Sequence, residues 1–227
     1  MDHSPLMDHT CGFCVEIHDM DTDNNLFKRV IAPKTGLESR YVYEDDTFVV
    51  MPTLGAFVEG YVMIVSKEHH DCVGKMSVED ITHLEELMGK IIARIRRVYH
   101  TDVICFEHGA VSCANKFGGC LNHAHVHLVP CNASLIEEIR DYDLEVKPLS
   151  SLTKLQSLGQ EGRPYLFFRN TDGGQYLITG EFIVSQFFRQ LVTARMGMEQ
   201  KWDWREHMFL DNVIKTVKGL KQDEANE

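Results

Sequence analysis

The run His123-Ala124-His125-Val126-His127-Leu128-Val129-Pro130 concentrates imidazole chemistry in one short stretch. Side chains on a strand alternate with a period of two, so the three histidines share one face. Ala124, Val126 and Leu128 then turn to the other face, toward a core. Three neighbouring imidazoles are costly if more than one is charged. The pattern admits a chance polar face, a metal site built from all three, or a nucleophile flanked by helpers. A loop rich in Gly, Ser, Asn and Cys, from Gly109 to Gly119, leads into it. Near the start, Cys11-Gly12-Phe13-Cys14 has CxxC spacing, which suits one corner of a tetrahedral zinc site. No second cysteine pair follows closely, as a small zinc finger requires. No βαβ setting is present for thioredoxin-like redox chemistry. Uncoordinated surface thiols are the alternative reading.

These residues resemble the histidine triad (HIT) superfamily, whose signature is His-x-His-x-His preceded by a glycine-rich phosphate loop. Gly118-Gly119-Cys120 leads into His123 in that way. Gly60-Tyr61-Val62-Met63-Ile64-Val65-Ser66-Lys67-Glu68-His69 resembles the family's strand ending in a Pro-Lys-x-His turn, and Cys11 to Cys14 the start of its zinc-bearing members. The resemblance covers roughly residues 8–131.

The resemblance implies transfer of a nucleoside monophosphate through a covalent nucleotidyl-histidine. His125 would attack the α-phosphorus, and His127 would contact the phosphate or help the leaving group. Neutral imidazole is a good nucleophile near pH 7, and the phosphoramidate it forms hydrolyses readily. Backbone N–H groups of Gly118, Gly119 and Cys120 would hold phosphate oxygens without positive charge. Asn115 and Lys116 are further candidates there. The zinc ligands carried over are Cys11, Cys14, His69 and His123, a closed and therefore structural site, with His70 the rival to His69. A homodimer is also implied.

Two positions depart from the family pattern. Where many hydrolytic members carry an aspartate for the ribose hydroxyls, counting back from His69 reaches Thr53, which cannot chelate two hydroxyls. The common Gly-Gln-Ser of the phosphate loop is here Gly118-Gly119-Cys120.

The elements that must position these residues follow from periodicity and turn signals. Leu26–Ile31, Arg40–Tyr43, Thr47–Met51 and Tyr61–Val65 read as strands separated by turns. From Ser77 the apolar residues Ile81, Leu84, Met88, Ile91, Ile95 and Val98 step by three and four, a long helix with one buried face. Val103–Phe106 and Asn122–Pro130 are strands on either side of the glycine-rich loop. Glu107 and His108, just before that loop, read as turn residues, with a reach into the site as the alternative. Beyond residue 131, Ser134–Arg140 is a short helix, Pro164–Asn170 and Gln175–Thr179 a hairpin across Thr171-Asp172-Gly173-Gly174, and Phe182–Met196 and His207–Leu220 helices. Lys201-Trp202-Asp203-Trp204-Arg205 reads as an anchor for this region, with base stacking or a dimer contact as alternatives. The expected class is α+β: a HIT-like, mainly antiparallel sheet with a long helix in residues 8–131. Residues 132–227 form a C-terminal α/β extension packed on it rather than an independent domain.

Composition narrows the field. The chain has 227 residues and a formal charge of −11, so no basic field exists for general nucleic-acid binding. The apolar runs are strand-sized, too short for a membrane helix. The N-terminus has no secretory pattern, and seven cysteines do not pair evenly. Reduced thiols in a cytoplasmic protein are expected. Three functions remain: a hydrolase of a nucleotide phosphoanhydride or phosphoramidate, a nucleotidyltransferase or phosphorylase sharing the same intermediate, and a zinc-stabilised nucleotide-binding protein without catalysis.

Overall fold

The computed structural model describes residues 8, 10–109, 123–180 and 184–224. A single sheet of eight strands has the order β1-β2-β3-β5-β4-β7-β8-β6. The strands are Tyr43–Glu44 (β1), Phe48–Pro52 (β2), Val62–Ser66 (β3), Val103–Gly109 (β4), His125–Pro130 (β5), Glu145–Pro148 (β6), Tyr165–Arg169 (β7) and Gln175–Thr179 (β8). Every neighbouring pair is antiparallel. The architecture is α+β with a mainly antiparallel sheet and one long helix, as expected.

That helix, Val78–Tyr99, starts because the Ser77 hydroxyl accepts from the Asp80 backbone N–H at 3.0 Å. It stops at His100, whose backbone turns left-handed. Its buried stripe, Ile81, Leu84, Leu87, Met88, Ile91, Ile92 and Ile95, packs with Val126 and Leu128 of β5 on one face of the sheet. The opposite face carries a second core containing Tyr61, Phe106, Val129, Phe168, Phe187 and Phe188.

Residues beyond 131 extend this same sheet. β7 pairs with β4 from Cys105↔Arg169 to Gly109↔Tyr165, and β8 and β6 follow outward. The helix Phe187–Arg195 lies on the second core, and the helix Leu210–Glu224 contributes to both cores. Among the described helices, none is long and apolar enough to cross a membrane.

Several local expectations change. Leu26–Ile31 is not a strand: Phe27–Ile31 is a π-helical turn continuing into the helix Ala32–Thr35, which Gly36 ends at φ 69°. Asn25 starts it, its side-chain oxygen accepting from the Lys28 N–H at 3.0 Å, so a helix-start signal overrides the β-branched content. Of Arg40–Tyr43 only Tyr43 lies within a strand; Val42 adds one bond to the Val50 carbonyl, and Arg40 turns its side chain into a buried ion pair. The helix expected from Phe182 begins at Phe187, residues 181–183 lying outside the described set. That expected over His207–Leu220 runs Leu210–Glu224. Glu107 and His108 belong to β4 and not to a turn.

Candidate functional site

β5 sets the histidines by strand alternation. His125 and His127 project to one face, their rings 4.9 Å apart, while Val126 and Leu128 enter the helix-packed core. His123 lies just before the strand on the same side. Phe13 touches both its ring, at 5.5 Å, and that of His125, at 5.2 Å.

The His125 ring is oriented by its own strand. Its Nδ1 lies 2.6 Å from the His123 carbonyl oxygen. A carbonyl only accepts, so Nδ1 carries the proton and Nε2 keeps a free lone pair. Burial pushes the His125 imidazolium down to about 4, the carbonyl contact opposing that shift. Neutral imidazole is therefore the prevailing form near pH 7.

His127 sits deeper. Its ring stacks on Phe106 at 4.6 Å, and its Nδ1 is 2.9 Å from the Tyr61 hydroxyl. Burial holds it neutral, with His125, His108 and Arg189 adding like-charge repulsion. His108 of β4, in phase with Phe106, is half-buried beside Phe188, and its buried Nε2 has no hydrogen-bond partner among the described residues. Glu107 points to the opposite face, accepting from the Val73 N–H at 2.7 Å and the Tyr165 hydroxyl at 3.0 Å.

A second cluster adjoins the triad. Ligand atoms of Cys11, Cys14, His69 and His123 all lie within 4.8 Å of one another. Cys11 Sγ is 3.4 Å from His123 Nδ1, and Cys14 Sγ is 3.3 Å from His69 Nδ1 and 3.6 Å from His123 Nδ1. A tetrahedron with bonds of about 2.3 Å to sulfur and about 2.0 Å to nitrogen has S···N edges of about 3.5 Å, so the spacing fits a four-coordinate metal. His123 Nε2 lies 2.7 Å from the Ser66 carbonyl, so its proton sits there and Nδ1 is left bare for a ligand role. The charges fit as well. The hydrogen bond between the two thiols, joined by that to His123, pushes Cys11 down, while the same bond and burial push Cys14 up. A cation among them would let both be thiolates. His69 lies in this cluster and His70 does not; the His70 carbonyl instead accepts from the Ala124 N–H.

The N-terminal segment is held by more than this cluster. Glu16, on the helix Gly12–Ile17, accepts two hydrogen bonds from Arg40, at 2.6 and 2.7 Å, and Arg40 also donates to the Pro52 carbonyl.

Of the other expected site residues, Thr53 is buried and donates its hydroxyl proton to the Leu54 carbonyl at 3.0 Å. Its lone pairs alone remain for a substrate. Asn115, Lys116, Gly118, Gly119 and Cys120 lie outside the described residues. The sequence reading passed over Tyr61 and Arg189. Tyr61 was accessible from alternation, since it is in phase with Met63 and Val65. Nothing in sequence couples Arg189 to a strand more than a hundred residues earlier.

The match to known families falls on this part of the chain: residues 34–133 match the family model described as HIT domain. No curated protein matches. Among solved structures, a HIT-like protein involved in cell-cycle regulation from Bartonella henselae is 17% identical, covering 55% of this chain and 79% of its own, with a TM-score of 0.41. A hypothetical histidine triad nucleotide-binding protein from Sulfolobus tokodaii is 17% identical over 67% of this chain and 91% of its own, TM-score 0.41. The yeast Ap4A phosphorylase, solved in complex with Ap4A, is 10% identical over 68% of this chain and 65% of its own, TM-score 0.38. With the triad strand inside the matched span, this chain carries a HIT domain at residues 34–133.

Proposed function

We propose that the protein is a HIT-type nucleotide phosphohydrolase, acting on a nucleotide phosphoanhydride or phosphoramidate through a nucleotidyl-His125 intermediate. The observation that carries this reading is the His125 Nδ1–H bond to the His123 carbonyl, which leaves Nε2 unprotonated. Nε2 attacks the α-phosphorus, and the P–O or P–N bond to the leaving group breaks as the new P–N bond forms. The leaving group takes a proton, with His127 beside it. Water then cleaves the nucleotidyl-histidine, releasing a nucleoside monophosphate and regenerating neutral His125. Backbone N–H groups of Gly118, Gly119 and Cys120, with Asn115, hold the phosphate oxygens, and Thr53 offers an acceptor to the nucleoside.

Zinc is the metal this reading assigns to Cys11, Cys14, His69 and His123. Two thiolates and two imidazoles suit it, and the four protein ligands leave no open position for substrate. Its role is structural. Residues 132–227 belong to one folding unit with residues 8–131, because β7 hydrogen-bonds along β4. A cytoplasmic homodimer completes the proposal; sedimentation as a monomer at micromolar concentration would remove the dimer from it.

Intact mass after brief incubation with a panel of nucleotides and dinucleoside polyphosphates, beside His125→Asn, tests the reaction. An adduct of nucleoside-monophosphate mass on the wild type alone is expected. Following product with and without added phosphate or a hydroxyl acceptor separates hydrolase from transferase or phosphorylase. Nucleotide affinity with neither adduct nor turnover would leave a binding protein instead.

A further inference from the structure

Arg189 comes from the helix Phe187–Arg195, outside the HIT domain, yet it is only 3% exposed. Among the described residues no carboxylate pairs with it. A buried guanidinium without a counter-ion is costly unless its donors are satisfied. Here they go to three oxygens: Nε donates to the Trp202 carbonyl at 2.8 Å, Nη2 to the Gly55 carbonyl at 2.7 Å, and Nη1 to the Tyr61 hydroxyl at 3.3 Å. Its guanidinium carbon also lies 5.2 Å from the Phe57 ring centre and 5.6 Å from that of Tyr61. Gly55 makes room for it, since a Cβ there would come within 2.5 Å of Arg189 Nη2.

The direction of these hydrogen bonds matters. Arginine only donates, so the Tyr61 oxygen accepts from Nη1. The Tyr61 proton is then free to point elsewhere, and His127 Nδ1 stands 2.9 Å away. With Nδ1 accepting, a neutral His127 carries its proton on Nε2. Among the described residues, the titratable, charged and aromatic groups facing His127 are Tyr61, Phe106, His125, His108 and Arg189. None is a carboxylate that would reverse this polarity.

We propose that Arg189 is a positioning residue of the triad, acting through Tyr61 to fix His127 as the neutral Nε2–H tautomer. The inference rests on the HIT-type reaction proposed above only for its consequence. His125 presents a lone pair and His127 presents a donor, the complementary pair that attack on phosphorus and relief of charge on a phosphate or leaving-group oxygen require. The segment beyond the HIT domain thereby sets the protonation pattern inside it.

Imidazole ¹⁵N NMR of the full chain without nucleotide reads the tautomer directly, with His127→Ala assigning the signal. Wild type should show His127 protonated only on Nε2, with no titration between about pH 5 and 8. Tyr61→Phe keeps the buried ring and removes the relay. It should mix the tautomers, lower kcat roughly 10- to 100-fold and change KM little. Arg189→Lys should shift the His127 signal the same way while leaving the His125 Nδ1–H in place. A wild-type His127 protonated on Nδ1 would overturn the proposal, as would an unchanged tautomer and pH–rate profile in Tyr61→Phe. Because the NMR needs no substrate, it stands or falls separately from the nucleotidyl adduct.

Discussion

Phe13 stands between the two cysteines of the CxxC pair and packs on both His123 and His125. The segment that supplies two of four candidate metal ligands is therefore the wall against which the proposed nucleophile rests. Cys11→Ser should reduce bound zinc from one per chain to near zero, and chelation of the wild type should do the same. Both should also slow formation of the nucleotidyl adduct, by loosening the Phe13 wall behind His125. Metal analysis with adduct kinetics checks this; stoichiometric zinc in Cys11→Ser would refute the ligand set.

The same segment is fixed by the Glu16–Arg40 pair, whose side chains are 5% and 3% exposed. Removing one partner leaves the other charge buried and alone, which costs about 3–5 kcal/mol. Glu16→Leu and Arg40→Met should each lose that much in urea unfolding. The double variant Glu16→Leu with Arg40→Met should recover most of it, since paired apolar groups avoid the desolvation penalty. A double variant as unstable as the sum of the singles would show the two residues act independently.

Glu107 gives stability a pH dependence. Burial pushes its carboxyl up to about 7 from the ordinary 4.5, although bonds from Val73 and Tyr165 pull the other way. Between those values the folded chain holds a proton that the unfolded chain has released. The associated stability is fully present below about pH 4.5 and is lost as pH rises through about 7. The loss is on the order of 3 kcal/mol. Glu107→Gln has no proton to lose there, so its stability relative to wild type should rise from pH 5 to pH 8. Urea unfolding at the two pH values measures the difference. A pH-independent gap would mean Glu107 is ionised throughout.

The triad strand and the long helix were legible because each repeats one rule over several residues. Alternation placed His125 and His127 on one face, and steps of three and four placed Ile81 through Ile95 on another. The hairpin after residue 164 was marked by its Asp172-Gly173-Gly174 turn. The short helix Gly12–Ile17 was not legible. It has no side-chain cap, includes a glycine and a valine, and is held by Arg40 and the core around Met63 and Val65. The strand Glu145–Pro148 likewise exists because β8 pairs with it. Tertiary partners decided both. The cysteine–histidine cluster was legible only through family resemblance, because its two halves lie more than fifty residues apart. Arg189 lay beyond both sources: a cation on the helix Phe187–Arg195 has no pattern that names its acceptor.

Gly55 and Gly36 allow a direct comparison of strain with site disruption. Both have left-handed backbones, φ 75° and 69°. A Cβ on Gly36 meets nothing within 4 Å, whereas one on Gly55 comes within 2.5 Å of Arg189 Nη2 and Trp204 Cβ and 2.8 Å of Trp204 Cα. Gly36→Ala should therefore cost only the backbone strain, about 1–2 kcal/mol, and leave adduct formation unchanged. Gly55→Ala adds overpacking of about 1–3 kcal/mol, and the Trp204 backbone cannot rotate away as a side chain could. The guanidinium must then leave the Gly55 carbonyl, and with it the position from which it meets Tyr61. Gly55→Ala should be the less stable variant in urea and should also slow adduct formation, with His127 showing mixed tautomers. Equal stability and equal adduct rates for the two alanines would mean the Arg189 cradle has no bearing on the triad.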